Sequence, residues 1–459
     1  MKLDRSFVSR VLPDAVIFGK PEFTIITATH DSRCVQQGSA FFAIKGKSFD
    51  GHAFVSDAIS RGARVVFVDR DKQSTLGELS AEVCSFVFVS SAEEALYALA
   101  AAWRAQYTIP VVGVTGTVGK TTTKELLAHF FRTAGHQCHT SPGNMNTRIG
   151  LSFALLRMTH EHTIAVFEMG ISHPGEMREL ADLVRPTLGI ITTLGHQHMD
   201  DLPSIGDIAR EKKQIFSYFG PQDLGFIHGD LPLLHGASYN HPVVRFGYKT
   251  SNQVQARRIS FKDGKLHAIL RVFEQSQAIT LAIPHRGYLT SILAAAAVCY
   301  MLDIPLASVC SAIEKFQLIE GRFLAKKSVS GSCLIINDAY NANPESMREA
   351  LFALDKMPGY SHKIAILGDM LGLGDQSVFW HRQVGRMLRH TKSISQVIFV
   401  GGQIFQAAKT MPHVISYKQV PSWKDVAAVL PDEMHGAAVL LKASCGVGLS
   451  NLAPILGQF

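Results

Sequence analysis

The residues with the most specific chemistry are Gly113-Val114-Thr115-Gly116-Thr117-Val118-Gly119-Lys120-Thr121-Thr122-Thr123. An apolar run, Ile109 to Val112, precedes them and an amphipathic pattern follows, giving the order strand, glycine loop, helix. Such a loop cradles nucleotide phosphates. Glycines let backbone N–H groups approach, Lys120 supplies a cation, and the Thr121 hydroxyl can hold Mg²⁺. The common form of the loop has glycine five residues before the Gly119-Lys120 pair. That position is Val114, and glycines stand at 113 and 116 instead. Alone, the loop implies only binding of ATP or GTP.

In open α/β sheets, ligands bind outside the carboxyl ends of strands, and this rule selects further residues. A strand at Thr163–Phe167 ends on Glu168, and one at Leu188–Thr193 leads into Gly195-His196-Gln197-His198. A carboxylate and an imidazole beside phosphates suit Mg²⁺, although magnesium prefers oxygen ligands. Taken singly, Glu168 serves equally as a helix cap or surface carboxylate, and an isolated His-x-His is more often a solvated loop. Lys212 and Lys213, on a helix over Ser204–Phe216, read as a solvated face. Asn144 and Asn146, in Ser141-Pro142-Gly143-Asn144-Met145-Asn146, form turns as readily as they bind a ligand. In Asn337-Asp338-Ala339-Tyr340-Asn341-Ala342-Asn343-Pro344, Asn343 is a good N-cap and Pro344 fits the first helical position. Asp338, Tyr340 and Asn341 exceed what a cap requires and suggest a ligand surface.

The elements that must position these residues are strands alternating with helices, an α/β class with mostly parallel sheets covered on both faces. A small unit has strands at Ala40–Ile44 and Arg64–Val68 and a helix at His52–Arg61 between them. After a strand at Val83–Val89, Ser91 and Glu94 form a capping box for an alanine-rich helix ending near Trp103. The loop helix spans about Lys120–Ala134, with Leu126, Leu127, Phe130 and Phe131 on one face. Residues 250–283 read as strand-rich and peripheral to the chemistry. Beyond Gly321-Arg322 the pattern restarts, with strands at Cys333–Ile336, Lys363–Leu367, Gln396–Val400 and Ala437–Leu441. That is a Rossmann-like unit with no glycine-rich phosphate loop. Three domains are expected: 1–90, 91–318 and 319–459.

Composition excludes several classes. With 47% hydrophobic and 18% charged residues the chain is globular. A net charge of +7 without a basic run does not favour nucleic acid. The seven cysteines show no metal spacing and read as reduced thiols of a cytoplasmic protein. Charges at Asp4, Arg5, Arg10 and Asp14 break any signal-peptide core. The uncharged stretch Tyr288–Leu302 is shorter than the roughly 20 residues that span a bilayer, so no membrane insertion is expected.

Several motifs together resemble the Mur ligases of peptidoglycan synthesis, over nearly the whole chain. The loop matches G-x-T-G-[ST]-x-G-K-T, which accounts for the displaced glycine. Asp31-Ser32-Arg33, Gly38-Ser39, Phe42-Ala43-Ile44-Lys45-Gly46 and Asp50-Gly51-His52 look like the family's uridine-nucleotide block. Gly143-Asn144-Met145-Asn146 matches G-N-x-N. Phe167-Glu168-Met169-Gly170 with Pro174-Gly175-Glu176 matches E-x-G…P-G-E. The peptide Asp338-Ala339-Tyr340-Asn341-Ala342-Asn343-Pro344-Glu345-Ser346-Met347 resembles that of the branch that adds D-alanyl-D-alanine to UDP-N-acetylmuramoyl-tripeptide. Leu367-Gly368-Asp369-Met370-Leu371 with His381 does likewise.

The resemblance implies an ATP-dependent amide ligase acting through an acyl phosphate, with a small UDP-binding domain, a central ATPase domain and a Rossmann-like domain for the dipeptide. It implies ATP contacts at Thr115 to Thr121, Arg322 and Asp338. UDP-substrate and dipeptide contacts would come from Ser32, Arg33, Lys45, Gly46, Asp50, His52, Asn144, Asn146, Tyr340, Asn341, Asn343 and Pro344. It implies two Mg²⁺ ions, one on Thr121 and a second on Glu168 and His198, and a carbamylated Lys212 as a further metal-site group. Lys120, Glu168, His198 and Lys212 are then the catalytic set. A cytoplasmic monomer is expected. The sequence departs from the family at Ser291 (asparagine in the family), Asn337 (frequently aspartate), Gly372 (frequently glutamate), and Lys442-Ala443-Ser444-Cys445 (K-G-S-R). Another ligase of the superfamily, adding the third residue or glutamates to folates, and a P-loop NTPase switch are the competing readings.

Overall fold

The structure is a computed structural model and describes residues 3–46, 48–75, 83–331, 333–431 and 434–458. The chain divides into two compact units. The first comprises Met1–Gly113, His136–Gly170 and Met177–Thr187, and the second Val114–Gly135, Ile171–Glu176 and Leu188–Phe459.

The first unit holds a five-stranded sheet in the order Val16–Phe18, Ser85–Val89, Val65–Asp69, Ala40–Phe42, Ala28–Thr29. Its first pair is antiparallel and the rest parallel. Phe41, Val66, Val68, Phe86 and Phe88 fill one face against Val55 and Ala58. The predicted helix at 52–61 is shorter: a 3-10 turn Gly51–Phe54, then an α-helix Val55–Ser60. Asp50 explains the turn, because its carboxylate caps the His52 N–H at 3.0 Å. Helix Ala92–Arg104 starts where expected, with the Ser91 hydroxyl accepting from the Glu94 N–H. The unit also contains parallel strands Cys138–Thr140 and Ile164–Glu168.

Strand Val111–Thr115 carries the chain from the first unit into the second. In the second unit, strands Leu188–Ile191, Leu224–His228, Val243–Gly247 and Val254–Lys262 pair in parallel in that order. Lys265–Val272 and Gln275–Leu281 then extend the sheet antiparallel. Helix Arg286–Met301, the apolar stretch that tempts a membrane reading, is a core helix with its four consecutive alanines buried. No helix among the described residues is long and apolar enough to cross a membrane.

The C-terminal sheet of this unit runs Leu324–Lys327, Leu334–Asn337, Ala437–Lys442, His362–Gly368, Gln396–Val400, Ser416–Val420. Only its first pair is antiparallel. The four predicted strands are all present. The two edge strands were not predicted, being short or mostly exposed, with no apolar run to mark them.

Candidate active site

The phosphate loop needs its glycines where it has them. Gly116 and Gly119 sit at φ +146° and +89°, backbone conformations that side chains disfavour. A Cβ on Gly116 would lie 1.9 Å from the Thr192 hydroxyl. The following segment supports the loop. Thr117 N–H donates to Thr193 O at 3.0 Å, Val118 N–H to the Thr193 hydroxyl at 2.9 Å, and the Thr192 hydroxyl to Val118 O at 2.6 Å. Helix Lys120–Thr133 then begins on Gly119, with no side-chain cap for its first turn. An uncapped helix N-terminus offers N–H donors and a positive dipole end to an anion. Lys120 Nζ donates to Gly116 O at 2.8 Å, and the Thr121 hydroxyl accepts from Arg322 Nη2 at 3.2 Å.

His198 and Lys212 belong to the same electrostatic neighbourhood. His198 takes φ +56°, which places this non-glycine residue in the left-handed region, where strained functional residues concentrate. Burial, then the charges of Lys120 and Lys212, push its imidazole down to about 4, so the ring is neutral at pH 7. Lys212 lies on helix Ile205–Lys213 and is 4% exposed, whereas Lys213 is only half-buried. Burial, reinforced by Lys120, holds the Lys212 amine well below the usual lysine range. The solvated-face reading therefore fails for Lys212.

In the first unit, Glu168 is the last residue of its strand, 2% exposed. Asn146 Nδ2 donates to its Oε1 at 2.9 Å, and Gly170 N–H donates to Asn146 O at 2.9 Å. The G-N-x-N and E-x-G segments thus meet through Asn146, while Asn144 is exposed on the turn. In the N-terminal block, His52 Nε2 accepts from Asp69 N–H at 3.0 Å. That fixes the proton on Nδ1, which lies 2.6 Å from Asp50 Oδ1. Asp50 and His52 thereby hold the loop. Lys45 and Gly46 are exposed on it, and Ser32 is buried. The exposed Arg33 pairs with Asp31 at 2.7 Å.

The 338–347 peptide is largely self-satisfied. Asp338 Oδ2 pairs with Lys442 Nζ at 2.8 Å and Oδ1 accepts from Phe323 N–H at 3.1 Å. Lys442 also donates to Asn341 O at 2.8 Å. Asn343 caps the helix and Pro344 stands in its first turn, as predicted, and Ser346 adds a reciprocal capping box that was not predicted. Tyr340 carries the Arg322 guanidinium over its ring at 4.0 Å. Arg322 therefore links this peptide to Thr121.

Beside the loop lies a cavity of about 440 Å³, lined by Gly119, Ser291, Arg286, His228, Tyr248 and Glu349 among others. His228 Nδ1 and Glu349 Oε2 are buried there without a hydrogen-bond partner. Ile259, from the segment read as peripheral, lines it too. Sequence reasoning missed His228 and Glu349, since no local motif flags them, and met Lys442 only as part of the K-G-S-R segment.

Three family models match the chain: "Mur ligase family, catalytic domain" over 24–104, "Mur ligase middle domain" over 114–299, and "Mur ligase, glutamate ligase domain" over 321–445. The UDP-N-acetylmuramoyl-tripeptide–D-alanyl-D-alanine ligase of Bacillus subtilis is 33% identical, covering 92% of this chain and 91% of that one. The chain belongs to the Mur ligase family. The Escherichia coli protein of the same name is 31% identical over 83% of this Mur ligase and 82% of its own length. In fold it is similar to MurF from Acinetobacter baumannii, with TM-score 0.87, 24% identity and coverage of 100% and 99%. It is also similar to MurF ligase from Thermotoga maritima in complex with ADP, with TM-score 0.81, 25% identity and coverage of 94% and 97%.

The departures of this Mur ligase have visible places. Ser291 is buried, its hydroxyl 3.0 Å from where a Gly119 Cβ would sit. Gly372 lies at φ +72° and its carbonyl accepts from Met199 N–H at 2.9 Å. Asn337 Nδ2 donates to Glu320 Oε1 at 2.9 Å. Cys445 is exposed.

Proposed function

We propose that this Mur ligase joins D-alanyl-D-alanine to UDP-N-acetylmuramoyl-tripeptide, the last addition that completes the pentapeptide precursor. It is an ATP-dependent ligase that forms an amide bond. The observation that carries the substrate assignment is the match to ligases of that name, which covers 92% of this chain for the Bacillus subtilis enzyme and 83% for that of Escherichia coli.

The terminal carboxylate attacks the γ-phosphate, ADP leaves and an acyl phosphate forms. The dipeptide amine then attacks the acyl carbon, loses a proton to solvent, and phosphate departs. Two anions meet in the first step, so positioned positive charge supplies much of the acceleration. Lys120 and the uncapped N-terminus of its helix receive the β- and γ-phosphates. The nucleoside end occupies the 440 Å³ cavity beside Gly119. Ser32, Arg33, Lys45, Gly46, Asp50 and His52 form the uridine-nucleotide end, with Asn144 and Asn146 toward the peptide. Tyr340, Asn341, Asn343 and Pro344 shape the dipeptide end, and Arg322 and Asp338 border the nucleotide.

The donors present fit Mg²⁺. In the second unit, Thr121 offers a hydroxyl already engaged by a guanidinium, and His198 a neutral imidazole. In the first unit, Glu168 is a carboxylate oriented by Asn146. Bound Mg²⁺ would neutralise developing charge on the phosphate oxygens. Burial lowers the Lys212 amine from the usual lysine range, which favours the uncharged form that adds CO₂. Its nitrogen bonds the carbon and releases a proton, leaving an anionic carbamate with oxygen donors. Labelled bicarbonate followed by carbon NMR tests this, and absence of a carbamate signal refutes it.

We also propose domain boundaries at 91 and 319, a monomer, and a cytoplasmic location suited to ATP, a soluble nucleotide substrate and cysteines that form no disulfide among the described residues. The deciding experiment is phosphate release with ATP and UDP-N-acetylmuramoyl-tripeptide, with D-alanyl-D-alanine present or omitted. Dipeptide-dependent release with formation of the pentapeptide product is expected. Release indifferent to the dipeptide refutes the assignment.

A further inference from the structure

The 338–347 peptide is linked to the phosphate loop on two sides, each time through intervening residues. On one, Tyr340 carries Arg322, whose Nη2 reaches the Thr121 hydroxyl. The other contact is independent of Arg322. Glu345, in the first turn of helix Pro344–Lys356, accepts from His196, with its Oε1 2.8 Å from the ring Nδ1 and its oxygens 3.3 and 3.4 Å from the backbone N–H. The preceding residue completes the connection. Gly195 N–H donates to the Thr117 hydroxyl at 3.0 Å, and that hydroxyl donates back to Gly195 O at 3.2 Å. A Cβ on Gly195 would come within 2.6 Å of the Glu345 carboxylate, so only glycine allows this approach. Trp380, from helix Ser377–Leu388, lies against the His196 ring with centroids 4.1 Å apart.

We propose that Glu345 and His196 are positioning residues for the second half of the reaction, an inference that rests on the ligase reading above. They hold the dipeptide-side peptide in register with the phosphate loop, so that the amine meets the acyl phosphate as soon as it forms. Neither residue touches the reacting atoms. The relay runs from Thr117 in the loop by hydrogen bonds to Gly195, along the peptide bond to His196, and by hydrogen bonds to Glu345 at the helix start. Rigid placement of a nucleophile is worth large factors in rate, and a small misplacement forfeits much of it. When the register is lost, water takes the amine's place. Its oxygen attacks the acyl carbon, phosphate leaves and the carboxylate is regenerated. ATP and water then become ADP, phosphate and a proton, with no amide formed.

The test measures phosphate released per amide formed, together with the KM values for ATP and D-alanyl-D-alanine, in wild type, His196→Ala, His196→Gln and Glu345→Gln. Loss of a charge-assisted bond predicts a dipeptide KM raised about tenfold in His196→Ala, with the ATP KM unchanged. Phosphate should exceed amide in that variant, and His196→Gln, which keeps a donor, should restore the ratio. The inference is overturned if His196→Ala and Glu345→Gln keep wild-type coupling and dipeptide KM. It is equally overturned if phosphate and amide fall in proportion, as general loosening would produce. Should Glu345→Gln fail to fold in a thermal melt, the half-buried His196 carries the test alone. Failure of the ligase reading is separate, since wild type would then form no amide at all.

Discussion

Two helix starts in the second unit share a layout and put it to opposite uses. Both follow a buried strand, Val111–Thr115 in one case and Leu334–Asn337 in the other, and both connect through a short polar loop. At Lys120 the helix begins on a left-handed glycine with no side-chain cap. At Pro344 it begins on a complete capping box, and the loop before it is pinned by Lys442. The first start leaves donors for a phosphate to satisfy. The second satisfies its own and so holds a fixed shape before any ligand arrives. Polar residues at a strand's carboxyl end therefore divide into those that await a partner and those that have one, and the division is made by caps and buried counter-charges.

The largest expected effect breaks the open side of the comparison. Lys120→Ala should lower kcat by about a thousandfold, or ~4 kcal/mol, while binding of the UDP substrate, followed by calorimetry, stays near wild type. Near-normal ligation in this variant would remove the loop from the mechanism. Next comes the closed side. Lys442→Met leaves Asp338 as a buried charge without its partner and should cost about 3 kcal/mol in urea denaturation. An unchanged midpoint would mean that the peptide does not depend on this pair.

A third helix start adds a titrating cap. His285 accepts from Gly287 N–H, and burial pushes its imidazole down to about 4 from 6.5. Because the folded value is depressed, the unfolded chain binds the proton first as pH falls. The contribution is present above about 6.5 and is lost on acidification toward 4, by about 3 kcal/mol. His285→Asn keeps a cap acceptor and should flatten that slope in melts between pH 7 and 4.5, so an identical slope would exclude His285 as its source. The smallest effect is Asn343→Ala, about 1 kcal/mol of stability from the lost capping box. Its ATP KM should not move, which separates a shaping residue from a binding one.

Much of this was legible in the sequence because it is local. Glycine spacing marks a phosphate loop, and Asn343-Pro344 marks a helix start within three residues. The helix pattern alone does not distinguish Lys212 from Lys213; the family resemblance singles out Lys212, and burial separates the two. The Asp338–Lys442 pair spans 104 residues and arises from strand register, with Asn337 opposite Leu441 across a parallel pair. His196 and Glu345 are 149 residues apart and meet only through folding. Tertiary pairing of this kind leaves no periodic trace in a single chain.

The contact between Trp380 and the His196 ring also makes the molecule its own optical gauge. The chain has three tryptophans. Trp103 is buried in the first unit and Trp423 packs on the core of the C-terminal sheet. With those two replaced by phenylalanine, the emission of Trp380 would report the nearby imidazole as quenching. A change in lifetime on adding nucleotide or dipeptide would then time the movement of this corner, millisecond by millisecond, without any attached dye.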